Sequence, residues 1–308
     1  MALVEPAAAS SNAWPDLPYE AWKDTLATLH MWTQVVGKIR MAQAPPVNHW
    51  WHVPLYVSAR GLTTSAIPYG TGTFELEFDF VDHALVIEPC GGSADRMPLE
   101  PRSVASFHRE VMERLRRLGI EVRIWSTPVE VPDPIPFEED ERHASYDAAY
   151  VHRFWQALTQ ADRVLQRFRS PWLGKCSPAH FFWGSFDLAL TRFSGRRAPP
   201  HPGAPGVADS VTREAYSHEV SSCGWWAGNE MSPRAAFYAY AYPEPEGFSG
   251  HPVRPEAAYY DTEWREFFLP YDAVRQADDP DGDLLAFLQT TYEAAAVHGG
   301  WDRGALER

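Results

Sequence analysis

The chain has 308 residues, and 45% of them are hydrophobic, so it can bury a core large enough for one big domain or two packed halves. Its 41 acidic residues outnumber its 27 basic residues, which gives a formal charge of -14. This charge disfavours nonspecific attraction to nucleic-acid phosphates and to anionic lipid. We therefore expect neither nucleic acid nor a membrane as a partner.

The N-terminal segment and the cysteines indicate where the protein resides. The segment lacks the basic region and apolar core of a secretory signal, and no apolar run is long enough to cross a bilayer. The three cysteines, Cys90, Cys176 and Cys223, are odd in number and widely spaced, which argues against a disulfide framework and a zinc ribbon. We expect a cytoplasmic protein with reduced thiols.

The first half is predicted to run helix, antiparallel meander, helix. A tail at residues 1–18 is followed by apolar residues at helical spacing over residues 19–41. Strand patterns and a second helix follow, and together they make a unit over residues 19–127. The predicted strands are 51–60, 73–80, 84–88, 96–99 and 120–125, and the helix is 103–118.

The second half is predicted to repeat this order after a linker rich in proline and acidic residues at 128–146. The unit spans residues 147–308, begins with a helix at 147–168 and ends with one at 281–297. A proline- and glycine-rich insertion is expected at 198–208. The predicted strands are 180–192, 215–222, 236–242, 257–261 and 265–269.

Two stretches, HWWHVPLYVSARGLTTSAIP from His49 and HFFWGSFDLALTRFSGRRAP from His180, resemble each other. Placing His52 on His180 also superposes Leu62 on Leu190. A period near half the chain indicates two copies of one unit that bury a shared face. We therefore predict an α+β fold made of an internally duplicated unit, packed as a pseudo-twofold pair in one compact domain.

The same residues carry a resemblance to a known family. The segments PVNHWWHVPLYVSARGLTTS, GKCSPAHFFWGSFDLALTRFSGR, AYSHEVSS and TYEAAAVHGGWDR closely resemble a family of uncharacterised bacterial proteins, DUF5996. The likeness covers nearly the whole chain. It implies no activity, cofactor or catalytic residue, so function has to be inferred from the residues themselves.

Histidines among aromatic residues are the strongest chemical signal. Imidazole is a common ligand for zinc, copper and iron, and it is the usual acid or base near neutral pH. The candidate catalytic residues are His52, His180, His218 and Glu219. His49, His52 and His180 are candidate ligands of a divalent metal ion, the one cofactor that the sequence suggests. Histidines bonded within the core are the structural alternative.

The spacing of these residues limits which of them are expected to meet. His49 and His52 are three residues apart and lie on opposite faces of a regular strand, so a turn at Asn48 or Trp50 is needed to bring them together. His180 and Asp187 also differ in parity within one strand, and a bulge at Gly184 would be required.

Aromatic and arginine side chains supply the expected walls of a ligand site between the repeats. Aromatic rings often line small-molecule pockets, and guanidinium binds carboxylate in a bidentate manner. The candidate ligand-binding residues are Trp51, Tyr56, Arg60, Phe182, Trp183 and Arg192. By contrast, Tyr238, Tyr240 and Tyr242 share one face of a strand, where packing is the expected role. Ser185 lacks the strand-to-helix elbow of a serine hydrolase.

The sequence thus predicts a small-molecule enzyme whose reaction is unknown, with a His and carboxylate site between the two repeats. The first alternative is a noncatalytic ligand-binding or sensor protein that uses the same cleft. A third is an interaction scaffold in which the aromatic residues are core. A small molecule is the expected partner, and the sequence does not determine the oligomeric state.

Overall fold

The structure, a computed structural model, describes residues 13–308. Its elements alternate between helices and antiparallel strands, which confirms a mixed α+β fold. The α-helices are Tyr19–Gln43 (α1), Val104–Arg117 (α2), Ala148–Arg169 (α3), Asp209–Ala215 (α4), Tyr271–Arg275 (α5), Pro280–His298 (α6) and Arg303–Leu306 (α7). The strands of the first sheet are Tyr56–Val57 (β1), Gly61–Thr63 (β2), Ile67–Tyr69 (β3), Gly72–Asp79 (β4), Ala84–Pro89 (β5) and Asp95–Pro98 (β6). Those of the second sheet are His180–Phe182 (β7), Asp187–Arg197 (β8), His218–Trp226 (β9), Ala236–Tyr242 (β10), Tyr259–Asp261 (β11) and Glu266–Pro270 (β12).

Three of the four long helices, α2, α3 and α6, begin at a side-chain cap, whereas α1 follows Pro18 without one. Asp147 caps α3 by accepting hydrogen bonds from the amides of Ala149 and Tyr150. Helix α1 is buried along most of its length, and the ring of Trp32 stacks on that of Phe107 in α2 with centroids 4.6 Å apart. Burial of these rings against each other fixes α1 between the first sheet and its neighbouring helices.

Each sheet is antiparallel throughout, and the two are joined at their edges. The first sheet has the strand order β1-β2-β4-β5-β6, with β3 also paired to β4, and the second has the order β7-β8-β9-β10-β12-β11. Leu55, just before β1, exchanges two backbone hydrogen bonds of 2.9 and 2.8 Å with Phe181 in β7. The first strand of each half therefore meets the first strand of the other.

The predicted single strand at 180–192 is wrong, because the chain folds there into a hairpin. Strand β7 pairs with β8 in the register His180 to Ala189 and Phe182 to Asp187. The intervening turn contains Phe186 at a φ of 58°. Paired residues of a hairpin point to the same face, so Asp187 shares a face with Phe182, and Phe182 shares it with His180. His180 and Asp187 are therefore diagonal neighbours on one face of the sheet.

The two faces of the second sheet differ in what covers them. Helices α3 and α6 pack on one face, where Trp225 contacts Phe154 of α3 with ring centroids 5.8 Å apart. We call this the helix-covered face. The opposite face, which we call the open face, carries the side chains of Asp187, Ser222 and Tyr238. Part of it is covered by the segment 198–217, which includes α4, and by a 3₁₀ helix at Asn48–Trp50.

Other predicted elements also differ from those observed. The segment 120–125 is extended but pairs with no strand among the described residues, and most of 51–60 forms turns rather than a strand. Segment 215–222 begins as the end of α4 and becomes β9 only at His218. Of the predicted tail, residues 1–12 lie outside the described residues, whereas Trp14 and Leu17 are buried in the core.

The predicted linker is packed rather than free. Phe137 and Asp140 are fully buried, and the His143 carbonyl accepts a hydrogen bond from the first amide of α2. Within residues 13–308, none of the helices combines the length and the apolar composition that crossing a membrane requires.

Candidate functional site on the open face of the second sheet

The register of the second sheet collects polar side chains on its open face. Pairing places Asp187 and Thr191 of β8, Ser222 of β9, and Tyr238 and Tyr240 of β10 on this face, because side chains of paired residues point the same way. Glu266 of β12 follows the same register, and His180 of β7 stands at the other edge. We call these seven residues the polar cluster.

Asp187 and Tyr238 form the centre of the polar cluster. The Tyr238 hydroxyl donates a hydrogen bond to Oδ2 of Asp187, and both side chains are buried. Gly224 lies beneath them, and a Cβ there would overlap the Tyr238 hydroxyl and the Leu188 carbonyl oxygen. Burial raises the pKa of Asp187 to about 7, although the Tyr238 bond lowers it in part. A carboxyl group with this pKa can bind and release a proton near neutral pH.

Two further carboxyl groups face Asp187. Burial raises the pKa of Glu266 to about 8, and repulsion from Asp187 adds to this effect. Glu130, from the segment between the halves, accepts a hydrogen bond of 2.6 Å from the Ser185 hydroxyl, and burial raises its pKa as well. The side chain of Glu130 is nevertheless exposed to solvent.

Hydroxyl groups continue the cluster along the sheet. The Tyr240 hydroxyl lies 2.7 Å from that of Tyr216, and the hydroxyls of Thr191 and Ser222 are 2.9 Å apart. Burial raises the pKa of Tyr216 to about 12, so the phenol stays protonated in the physiological range. The ring of His201 stacks on Tyr216, with centroids 4.5 Å apart. The segment 198–217 thus supplies one wall of the site.

His180 has a buried ring that bonds no group among residues 13–308. It is 1% exposed, and neither ring nitrogen contacts a donor or acceptor in that part of the chain. Burial lowers its pKa to about 3, and the positive charges of Arg40 and Arg169 lower it further. Buried polar atoms are normally bonded, so a neutral imidazole with two unused nitrogens calls for an explanation. The rings of Trp51, Tyr56 and Phe182 surround it, with centroids 5.7, 5.5 and 5.6 Å away.

The other predicted histidines are held by the protein itself. His49 contacts the Ala215 carbonyl through Nδ1 at 2.9 Å and the Lys175 ammonium through Nε2 at 2.6 Å. His52 accepts a hydrogen bond of 3.1 Å from the amide of Val47 and lies in the turns before β1, so it does not occupy the place in the sheet that His180 has. His218 bonds Ser217, and its ring centroid lies 5.8 Å from that of His49.

These positions bear on the predicted metal ligands. Among residues 13–308, no group of three or more His, Cys, Asp or Glu side chains is arranged to hold a metal ion. His49 uses both ring nitrogens, and His180 projects from the strand, whereas His52 bonds its own turn. The turn at Asn48–Trp50 that the sequence required does exist, but it does not bring the three histidines into one coordination sphere.

Glu219 points away from His218 to the other side of β9. It accepts bonds from the Ser194 hydroxyl at 2.8 Å and from Arg196 at 2.7 Å. It lines a cavity of about 270 Å³ with Tyr242 and His298, and none of the four predicted histidines lines that cavity. Glu219 is therefore outside the polar cluster.

Three of the predicted ligand-binding residues have structural partners. Arg60 pairs with Asp79 at 2.8 Å and with Asp82 at 2.7 Å. Trp183 donates to the Val53 carbonyl at 2.9 Å. Arg192 is buried on the helix-covered face, donates to the Phe168 carbonyl and lies among aromatic rings. Trp51, Tyr56 and Phe182 remain beside His180.

Sequence reasoning missed most of the polar cluster. Asp187 was expected to meet His180 only through a bulge at Gly184, and Tyr238 and Tyr240 were assigned to packing. Glu266 and Glu130 had no motif around them. The available signal was the alternation of tyrosines in FYAYAY, which shows that polar groups line one whole face of a strand.

The comparisons with known proteins agree with the resemblance seen in the sequence. The model of a family of unknown function, DUF5996, matches residues 14–308. No curated protein and no solved structure matches the chain. Since the match extends over nearly the entire sequence, the chain belongs to the DUF5996 family.

Proposed function

We propose that the protein is a small-molecule enzyme whose site is the open face of the second sheet. The observation that carries this proposal is the pairing of Asp187, whose pKa lies near 7, with Tyr238 on the same face as the unpartnered ring of His180. Titratable groups with shifted pKa values that lie close together are typical of acid and base catalysis.

Each group has a distinct part in this proposal. Asp187 transfers the proton, because a carboxyl group with a pKa of about 7 is ionised in about half of the molecules at neutral pH. The Tyr238 hydroxyl donates a hydrogen bond that stabilises the carboxylate form. His180 stays neutral and orients the substrate by one donor and one acceptor nitrogen. The rings of Trp51, Tyr56 and Phe182 contact the apolar part of the substrate.

A noncatalytic ligand-binding or sensor protein is the second candidate. It is favoured by the low pKa of His180, since an imidazole that stays neutral down to about pH 3 cannot carry a proton at physiological pH. In that case His180 and Tyr238 recognise the ligand, and Asp187 responds to it by changing its protonation state. A cytoplasmic location, which the cysteine content favours, belongs to both proposals.

We also propose that the two halves arose by duplication. The support is the equal order of a helix followed by antiparallel strands and a closing helix, together with the antiparallel pairing of Leu55 with Phe181. A Thr-Gln pair occurs in both opening helices, at Thr33 in α1 and at Thr159 in α3. The interval between these two threonines equals the interval between Leu55 and Phe181. In this alignment of the two halves, Leu55 is equivalent to Phe181. The alignment drawn from the sequence made His52 equivalent to His180 instead.

A thermal-shift screen of small organic acids, amines and sugars tests the function. A ligand that binds the folded state raises the melting temperature, and the hits should lose their effect in His180→Ala. Because the ring nitrogens of His180 bond nothing within residues 13–308, this variant should fold and lose only packing energy. His152→Ala, which replaces a half-buried histidine of α3 outside the cluster and outside both cavities, is the matched control and should keep every hit.

Turnover separates the two candidates. Hits are incubated with the protein and followed by mass spectrometry, alongside Asp187→Asn. Conversion that Asp187→Asn abolishes, with binding kept, supports the enzyme. Binding without conversion supports the sensor. Hits that act equally on the parent and on His180→Ala would refute both, and stoichiometric metal in protein purified without a histidine tag would restore the metal hypothesis.

A further inference from the structure

Another cavity lies in the first half of the chain, between α2 and the extended segment 121–126. Its volume is about 590 Å³, which is in the range of small-molecule sites, roughly 300 to 1,000 Å³. The buried side chains of Ala105, Met112 and Val122 form an apolar floor. We call this cavity the α2 groove.

Three exposed arginines line the α2 groove. Arg109 and Arg116 stand on the flank of α2, and Arg123 projects from the opposite wall. Within residues 13–308, none of the three has a carboxylate within the 4.0 Å of an ion pair. The contrast with Arg114 on the same helix is direct, because Arg114 pairs with Glu110 and Asp95.

The remaining titratable groups of the lining do not cancel this charge. Glu138 is the carboxylate in the lining, and it accepts a hydrogen bond of 3.0 Å from Ser126. Burial lowers the pKa of His108 below its usual value, so its imidazole is neutral at pH 7. In a protein of formal charge -14, the α2 groove is therefore a local positive site.

The wall opposite α2 has backbone groups that no other strand uses. Residues 122–125 are extended, and the amide of Glu121 is bonded to the Tyr69 hydroxyl at 2.8 Å. The amides of Val122, Arg123, Ile124 and Trp125 have no hydrogen-bond partner among the described residues. These unbonded N–H groups lie in the same segment as Arg123.

We propose that the α2 groove binds a small amphipathic anion, a carboxylate on an apolar chain or ring. Its apolar body lies on Ala105, Met112 and Val122, and its acid group is bound by the arginines. The positive charge of the arginines favours an anionic head group, and the apolar floor favours an apolar chain or ring. This site is separate from the polar cluster and does not depend on the proposed function.

Titration calorimetry of the full chain with octanoate tests the proposal, with octanol and octylammonium as probes of equal chain length. We expect octanoate to bind at one site and more tightly than octanol, and octylammonium to bind least. The double variant Arg116→Gln/Arg123→Gln should weaken octanoate binding about tenfold or more, because charge-assisted bonds are lost. Arg234→Gln, which replaces an exposed arginine outside both sites, should leave the affinity unchanged.

Three outcomes would overturn the proposal. Equal binding of the three probes would show that the groove recognises only apolar chains. An unchanged affinity in the double variant would place octanoate elsewhere. Binding of an acidic peptide of alternating Glu and Leu in the absence of octanoate binding would assign the groove to a protein partner. Asp187→Asn should bind octanoate normally, which keeps this test independent of the polar cluster.

Discussion

The two faces of the second sheet are built from the same strands but contain different chemistry. On the helix-covered face, Leu188, Leu190, Trp225 and Leu269 are fully buried against α3 and α6. On the open face, the same strands carry the polar cluster. Alternation along a strand sends successive side chains to opposite faces, so one set of strands can stabilise the fold with one face and bind a ligand with the other.

The charged residue on each face shows the difference most clearly. Arg192 on the helix-covered face bonds the Phe168 carbonyl, and rings of Phe168, Trp172 and Tyr292 surround its guanidinium. Asp187 on the open face has no cationic side chain within 4.0 Å among the described residues. On the covered face, Arg192 thus has a partner within the fold, although its Nε bonds no group among residues 13–308. On the open face, the hydroxyls of Tyr238 and Tyr240 bond neighbouring side chains, whereas the ring of His180 has no partner in the same part of the chain.

The largest effect is expected on the helix-covered face. Trp225→Ala removes a fully buried ring that contacts Phe154 and Tyr271, and should lower the free energy of unfolding by about 3–5 kcal/mol. Urea denaturation measures this loss. Tyr240→Phe on the open face is the matched control, since it removes one hydroxyl from a half-buried ring and should cost far less. Similar losses for both variants would mean that the open face is also structural core.

The next effect is the pH dependence that Asp187 gives to stability. Its pKa is about 7 in the folded chain, above the ordinary value of 3.8, so the folded state binds more protons than the unfolded state between these values. The free energy of unfolding should therefore fall as pH rises from about 4 to about 7, by on the order of 2–4 kcal/mol.

Replacing the carboxyl group isolates this contribution. Asp187→Asn cannot ionise, so its free energy of unfolding should change less than that of the parent across the same pH range. Denaturant titrations of both proteins at several pH values give the comparison. Parallel curves would show that Asp187 ionises normally in the folded protein, and the acid–base role would then fail.

The smallest of the three effects concerns Gly224, which leaves room for the contact of Tyr238 with Asp187 on the open face. Gly224→Ala would place a Cβ against the Leu188 carbonyl oxygen and the Tyr238 hydroxyl, and should destabilise the protein by about 1–3 kcal/mol. It should also displace Tyr238 from Asp187. Gly250→Ala is the control, because a Cβ at position 250 has no neighbour within 4 Å. Melting temperatures of the two variants, measured together, test whether Gly224 is required for the Tyr238 contact.

Much of the fold was predictable because the spacing of apolar residues indicates which side of a helix or strand is buried. The amphipathic patterns of α2 and α3 and the alternation of β4 and β10 gave these elements to within a few residues. The segment 120–125 shows the limit, since Ile120 and Val122 alternate with exposed residues as in a strand, yet no other strand pairs with them in the described structure. Alternation predicts an extended chain, but pairing depends on a neighbour that the local sequence does not specify.

The candidate site was less predictable for the same reason. His180 and its aromatic neighbours were found because their residue types are rare and chemically distinctive. Asp187 was expected to share a site with His180 only through a bulge at Gly184, because residues 180–192 have the pattern of one strand, whereas a tight turn at 183–186 makes two. Glu130 and Glu266 reach the site from a distant segment and from another strand, so nothing in their immediate sequence marks them.

The sequence by itself determined the α+β composition and the family, and it identified His180 with its aromatic neighbours, because these depend on local pattern and residue type. Only the tertiary structure decided which of those residues meet. The hairpin of β7 and β8 placed Asp187 diagonally across from His180, and burial raised the pKa of Asp187 towards neutrality. Register and desolvation are properties of the packed chain, since both arise from contacts between segments that are far apart in the sequence.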